Sequence, residues 1–138
     1  MRVVVDTNVI VSGVLNPFGR PAAILSLILN RELEAAVDAR ILSEYRDVLK
    51  RPQFSLSSGS VDTLVDFISV TGFHAVAAPL EHPLPDADDA MFLEAAFASG
   101  AKVLITGNKK HFPQKLCGGV RVVNPQEFLE KYRGKGER

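Results

Sequence analysis

The sequence predicts an α/β fold: a three-layer α/β/α sandwich around a mostly parallel central sheet. Three observations lead there. Val3-Val4-Val5 and Val103-Leu104-Ile105 are apolar runs without polar alternation, as expected of strands buried on both faces by covering helices. Stretches of helical periodicity, ten or so residues long, separate the strand candidates. Each strong run then stops abruptly at a polar cluster, Asp6-Thr7-Asn8 or Thr106-Gly107-Asn108, which is where open α/β sheets place their ligands.

Composition bounds the rest. With 138 residues, 46% hydrophobic and 23% charged, the chain is expected to form one domain over residues 1–133 with an ordinary core, followed by a frayed tail at 134–138. Lys+Arg and Asp+Glu both number 16, so a nucleic-acid partner requires a local basic patch rather than a global field. The single Cys117 excludes an internal disulfide and a thiolate zinc cluster. No run approaches the ~18 apolar residues of a membrane span. The N-terminus, broken by Asp6, makes a poor signal peptide, so a cytoplasmic location and no membrane partner are expected.

Taken in order, Val9 to Leu15 opens a helix behind Asp6. Pro21 suits the first turn of a second helix to about Arg31, with Ala23, Ile24, Leu27 and Ile28 facing inward. Leu33 to Val37 is a weaker strand. Arg40 to Arg51 is a helix stopped by Pro52, with Ile41, Leu42, Tyr45, Val48 and Leu49 on one arc. Glu44 falls roughly 40° beyond Val48, at the rim of that arc; it can reach the sheet edge or serve as a solvated flanking charge. Ser60 is a candidate N-cap for a helix to about Thr71 built on Val61, Leu64, Val65 and Ile68, with Gly72 ending it.

His74 to Ala78 is a short strand candidate. A loop rich in proline and acid then feeds the helix Ala90 to Ser99, whose core face is Phe92, Leu93, Ala96 and Phe97, with Gly100 capping its end. Asp86, Asp88 and Asp89 stand at its head, where aspartates are favoured as caps and near the positive helix end; three exceed what capping requires. Lys102 to Thr106 and Val120 to Asn124 are strands. Pro125 begins a last helix with Phe128, Leu129 and Tyr132 inward.

In a parallel sheet the carboxyl ends of the strands at Asp6 and Thr106 share one edge. Asp6 is then either an acid with a role or a turn residue. Carboxylates gathered there repel one another, and a divalent cation relieves this; oxygen-only ligands favour Mg²⁺ or Mn²⁺. His74, His82 and His111 have no ligand spacing and read as structural or exposed. No phosphate-binding glycine loop or nucleophile elbow occurs.

Val-Val-Asp6-Thr-Asn-Val-Ile-Val-Ser12, Leu-Ser-Glu44-Tyr, Asp86-Ala-Asp-Asp89-Ala-Met-Phe-Leu and Val-Leu-Ile-Thr106-Gly-Asn resemble, in this order, the signature segments of the PIN domain. Within that family the likeness is to the VapC-like branch, the toxin components of prokaryotic toxin–antitoxin systems, and it covers nearly the whole chain. The resemblance implies a metal-dependent ribonuclease acting on single-stranded RNA with Mg²⁺ or Mn²⁺. Asp6 matches the family's first acid and Glu44 its second. Asp89 best matches the third, because the apolar pair Phe92-Leu93 follows at the family's distance; Asp86 and Asp88 are the fallbacks. Thr7, Asn8, Ser12 and Thr106 occupy positions that orient the acids.

Asn108 departs from the pattern. Many relatives carry a fourth acid there, and an amide offers a carbonyl oxygen but no charge, which weakens a second metal site. Lys109 or Lys110 is the expected contact to the RNA backbone, with a solvated loop as the alternative. The resemblance further implies a cognate antitoxin and a homodimer formed through helices. Two rivals follow from the residues: a PIN-like module that binds RNA or protein without cutting, favoured by Asn108, and a haloacid-dehalogenase-like phosphotransfer domain using Asp6, which wants an Asp at position 8 where this chain has Asn.

Overall fold

Val3, Val4 and Val5 are each 0% exposed. Because successive strand residues point to opposite faces, this strand is covered on both sides. It is β1 (Arg2–Val5), the central strand of a sheet in a computed structural model that describes residues 1–136. The other strands are β2 (Glu34–Val37), β3 (Phe73–His74), β4 (Val103–Ile105) and β5 (Arg121–Val123). Their order is β3-β2-β1-β4-β5, and every pairing is parallel. The expected three-layer α/β/α sandwich is thus built on a sheet that is wholly rather than mostly parallel.

Six helices complete the described residues: α1 (Thr7–Leu15), α2 (Arg20–Leu29), α3 (Ala39–Leu49), α4 (Ser58–Thr71), α5 (Ala90–Ser99) and α6 (Pro125–Gly136). α1 packs on α2 and α3, α2 also meets α4 and α6, and α5 lies across β1, β2 and β4. No single described helix is long and apolar enough to cross a membrane. Residues 137 and 138, the end of the expected frayed tail, lie outside the described residues.

Several boundaries move for local physical reasons. α3 starts one residue early because Asp38 caps it, its carboxylate accepting from the backbone N–H groups of Arg40 (2.9 Å) and Ile41 (3.1 Å). Ser57 rather than Ser60 caps α4, accepting from the Ser60 backbone N–H at 3.1 Å; Ser60 lies inside the first turn. The strand expected from His74 to Ala78 pairs only over Phe73–His74, and Val76 beyond it is 94% exposed.

Phe97 does not belong to the core. The buried residues of α5 are Phe92, Leu93, Ala95, Ala96 and Ser99, an arc centred near Phe92 and Ala96, and Phe97 lies past its margin and is 49% exposed.

Two glycines end helices differently. Gly100 has φ +72°, the left-handed conformation that suits a residue without Cβ. Gly72 is extended, with φ −81°; a Cβ there would stand 2.6 Å from the Ile68 carbonyl oxygen and 2.7 Å from that of Ala35. Close approach of α4 to β2, not a left-handed turn, demands that glycine.

The strand order fixes the site. From β1 the chain proceeds to β2 and β3 on one side, and returns to place β4 and β5 on the other. The reversal falls between β1 and β4, so the residues following Val5 and Ile105 flank the crevice that such a reversal opens.

Candidate active site

Asp6 is the first residue beyond β1 and the N-cap of α1, and only 6% of it is exposed. Its backbone N–H bonds to the Ile105 carbonyl (2.9 Å), which extends the ladder one step past the strand. Thr106, the equivalent residue beyond β4, is fully buried and donates its hydroxyl to Asp6 Oδ2 at 2.8 Å. The Asn8 amide donates to the same oxygen at 3.3 Å. Asn8 is itself held by the backbone N–H of Gly107, which donates to its Oδ1 at 3.0 Å. The two polar clusters that stop β1 and β4 therefore interlock.

Glu44 reaches this edge from α3. Its Oε2 accepts the hydroxyl of Thr7, a buried residue in the first turn of α1, at 2.6 Å. The neighbouring Tyr45 is completely buried, and its hydroxyl donates to the Val5 carbonyl, one residue before Asp6. Burial raises the Tyr45 phenol far above its usual range, with the charges of Asp6 and Glu44 adding to the effect. A rim glutamate and a core tyrosine in sequence thus fasten α3 to the end of β1.

Asp89 completes the group from the single 3-10 turn Ala87–Asp89 that leads into α5. Asp86 is the capping aspartate of this turn, accepting from the Asp88 backbone N–H at 2.9 Å, and both Asp86 and Asp88 are exposed. Asp89 points inward, its side chain 14% exposed. Its Oδ2 is buried and has no hydrogen-bond partner. The imidazole Nδ1 of His111 stands 3.0 Å from that oxygen.

The electrostatics follow from this crowding. The Asp6 carboxyl is raised, chiefly by burial and also by Glu44, against the lowering influence of the Thr106 hydrogen bond. The Asp89 carboxyl is raised to about 6, by burial first and then by the charges of Asp6, Asp86 and Glu44, with His111 opposing. Among the described residues no Lys or Arg pairs with Asp6, Glu44 or Asp89. Asp38 and Glu94 contrast with them: Arg40 bridges these two carboxylates, each at 2.7 Å.

Residues 2–110 match the PIN domain. The chain belongs to the PIN domain family. PIN domains are generally nucleases that use divalent metal ions. An uncharacterized protein of Methanocaldococcus jannaschii is 27% identical over 145 residues, spanning 96% of this chain and 92% of that protein. Among solved structures, the chain is similar in fold to one described as VapBC2 from Rickettsia felis bound to a DNA fragment from their promoter. The TM-score is 0.59 at 17% identity, covering 90% of this chain and 98% of that one.

The donor chemistry of this PIN domain's edge suits a hard divalent cation. Two raised carboxyls, one of them with a buried oxygen that lacks a hydrogen-bond partner, and a third carboxylate, with no Lys or Arg paired to them among the described residues, are what such an ion would satisfy. Among the described residues no three His, Cys, Asp or Glu side chains stand close enough to enclose one ion; the acids line the crevice without closing on a common point.

Other residues singled out in the sequence lie around this edge. Ser12 is exposed on α1, and its side chain bonds to none of the acids. Asn108 is half-buried and donates its backbone N–H to the Thr106 hydroxyl at 3.0 Å. Lys109 is held by Glu127 at 2.9 Å, while Lys110 is exposed. His111 is the residue that sequence spacing overlooks. The short 3-10 turn Lys109–His111 carries it back over Asp89; the only sequence hint is its place three residues beyond Asn108.

Proposed function

We propose that this chain is a Mg²⁺- or Mn²⁺-dependent endoribonuclease that hydrolyses phosphodiester bonds of single-stranded RNA, and that it is the toxin of a toxin–antitoxin pair. The observation that carries the reading is the gathering of Asp6, Glu44 and Asp89 at the β1/β4 crevice, where the buried Asp89 Oδ2 has no hydrogen-bond partner. Asp6, Glu44 and Asp89 would hold the ion, with the Asn108 carbonyl as an auxiliary donor. When bound, the ion supplies Lewis acidity toward the phosphodiester and its attacking water.

The chain's own residues supply position. Thr106 and Asn8 fix the Asp6 carboxylate, Thr7 turns Glu44 toward it, and the turn before α5 aims Asp89 inward. Lys110 is exposed and pairs with no acid among the described residues, which leaves it to meet an RNA phosphate, whereas Lys109 is engaged by Glu127. The likeness in fold to VapBC2 supports an antitoxin partner, and a homodimer belongs to the same proposal.

The test is cleavage of single-stranded RNA by purified protein with added Mn²⁺. Asp6→Asn and Asp89→Asn are expected to abolish it; unchanged activity in both variants removes the assignment. Asn108, together with acids that do not enclose one point, favours a second reading as a PIN-fold binding module. Titration calorimetry decides between them, because a binding module of that kind takes up no Mn²⁺ at millimolar concentration.

A further inference from the structure

We propose that Arg40 is a positioning residue: by bridging Asp38 and Glu94 it ties the loop that leads to Asp89 to the helix that carries Glu44, and so fixes the separation of these two acids. The inference rests on the nuclease reading above and names the residue through which two of its acids are spaced.

The first observation is where the bridge lies. Arg40 and Glu44 are one helical turn apart on α3 and share a face of it. Glu94 follows Asp89 by about one turn of α5. Arg40 Nη1 donates to Glu94 Oε1 at 2.7 Å, across 54 positions of the chain. One bond therefore joins the two elements close to both acids.

The second is how the bridge is built. Arg40 Nε and Nη2 donate to Asp38 Oδ2 at 3.2 and 2.7 Å, while Asp38 Oδ1 caps α3. All three guanidinium nitrogens are engaged. The side chains of Asp38 and Glu94 are only 13% and 11% exposed, so burial would penalise each carboxylate without its cation. Exposed ion pairs hold position poorly; here both acceptors are seated in the fold. One guanidinium shared by two carboxylates leaves no surplus positive charge, which makes Arg40 a poor contact for an RNA phosphate.

The third is what the loop depends on. Glu94 Oε2 accepts the Leu80 backbone N–H at 3.2 Å, 14 positions back, and so closes the segment that contains Asp86, Asp88 and Asp89. Among the described residues no other backbone N–H from 76 to 85 bonds to another element. Leu84 is the one buried residue between 76 and 89. The loop thus takes its place from Leu84 and Glu94, and the Glu94 carboxylate takes its own from Arg40.

The experiment compares full-length wild type, Arg40→Gln and Arg40→Lys in Mn²⁺-dependent cleavage of single-stranded RNA. Amide hydrogen exchange in chelator-containing buffer is the second readout. Arg40→Gln is expected to lower kcat about ten- to hundredfold, the scale of a small misplacement of reacting groups. KM for RNA should stay within about twofold of wild type. Arg40→Lys keeps the charge without the planar fork and should recover part of kcat. In Arg40→Gln the Leu80 amide should exchange at least about tenfold faster, while amides of β1 and β4 keep their protection.

A wild-type kcat in Arg40→Gln overturns the proposal, as does a raised KM with kcat unchanged, the mark of direct RNA contact. A lowered kcat with Leu80 still protected overturns it too. Should Arg40→Gln loosen β1 and β4 as well, Glu94→Gln decides. Its single amide oxygen replaces the two that hold Arg40 and Leu80, so lower kcat and faster Leu80 exchange are expected there, and wild-type kcat overturns the role. Any of these failures leaves the acid site standing. If wild type cleaves no RNA with Mn²⁺, the nuclease reading itself falls, and this inference with it.

Discussion

The Thr106 hydroxyl donates to Asp6 Oδ2 at 2.8 Å, joining two residues that are 100 positions apart in the chain. Each is the first residue past its strand, so the bond ties the ends of β1 and β4 at the point where the strand order reverses. The same hydroxyl accepts the Asn108 backbone N–H at 3.0 Å. One oxygen therefore organises both the acid and the loop that follows β4.

Thr106→Val keeps the shape and removes that oxygen. The expected loss of stability is about 1.5–3 kcal/mol, the range for hydrogen bonds to a charged partner, and Thr106→Ser should recover most of it. Urea unfolding measures both. A Val variant as stable as wild type would show that the bond carries no weight.

Asp89 gives a pH dependence whose sign can be worked out. Its carboxyl lies at about 6 in the folded chain against 3.8 in the open chain, so the folded state holds the proton more firmly. That contribution to stability is complete below about pH 4 and is lost as pH rises through 6. Asp89→Asn removes the titration and the repulsion from Asp6 and Glu44. In chelator-containing buffer the variant should melt above wild type at pH 7, with the gap closing toward pH 4. Scanning calorimetry across that range is the check, and a variant that melts lower at pH 7 contradicts it. Asp6, also raised, leaves both proteins some residual slope.

Tyr45→Phe should separate packing from tethering. The ring stays buried, but the Val5 carbonyl loses its donor, at an expected cost of about 1–2 kcal/mol. Because Tyr45 adjoins Glu44 and Val5 adjoins Asp6, the variant should also bind Mn²⁺ more weakly. Denaturant titration and calorimetry on one preparation test the two parts, and unchanged Mn²⁺ affinity would limit Tyr45 to packing.

Much of this arrangement was legible in the residues. Unbroken valines announced a strand covered on both faces, and the polar stops at Asp6 and Thr106 marked its carboxyl edge. Parallel pairing implied that these stops share a side, but not that β1 and β4 are neighbours; that depends on the order of the whole sheet. Glu44 was visible as a rim residue, while its hydroxyl partner Thr7 on another helix was not. Phe97 was misplaced because it lies just beyond the buried arc of α5, where a helical wheel discriminates least. Gly72 carries the same letter as a left-handed cap yet serves close packing. His111 escaped because its position is made by a three-residue turn, too short to leave a periodic trace.

The strand order also sets a timetable. In synthesis Asp6 precedes Thr106 by 100 residues, and β2 and β3 can assemble beside β1 long before β4 exists. Thr106, whose hydroxyl holds Asp6, Gly107, which holds Asn8, and the histidine that faces Asp89 all come after β4 begins. A polypeptide halted before Ile105 would carry all three acids but not the clamp that orients the first of them. Whatever chemistry this edge performs therefore requires β4 and the residues just past it, so a chain cut short before Ile105 is disarmed by its topology.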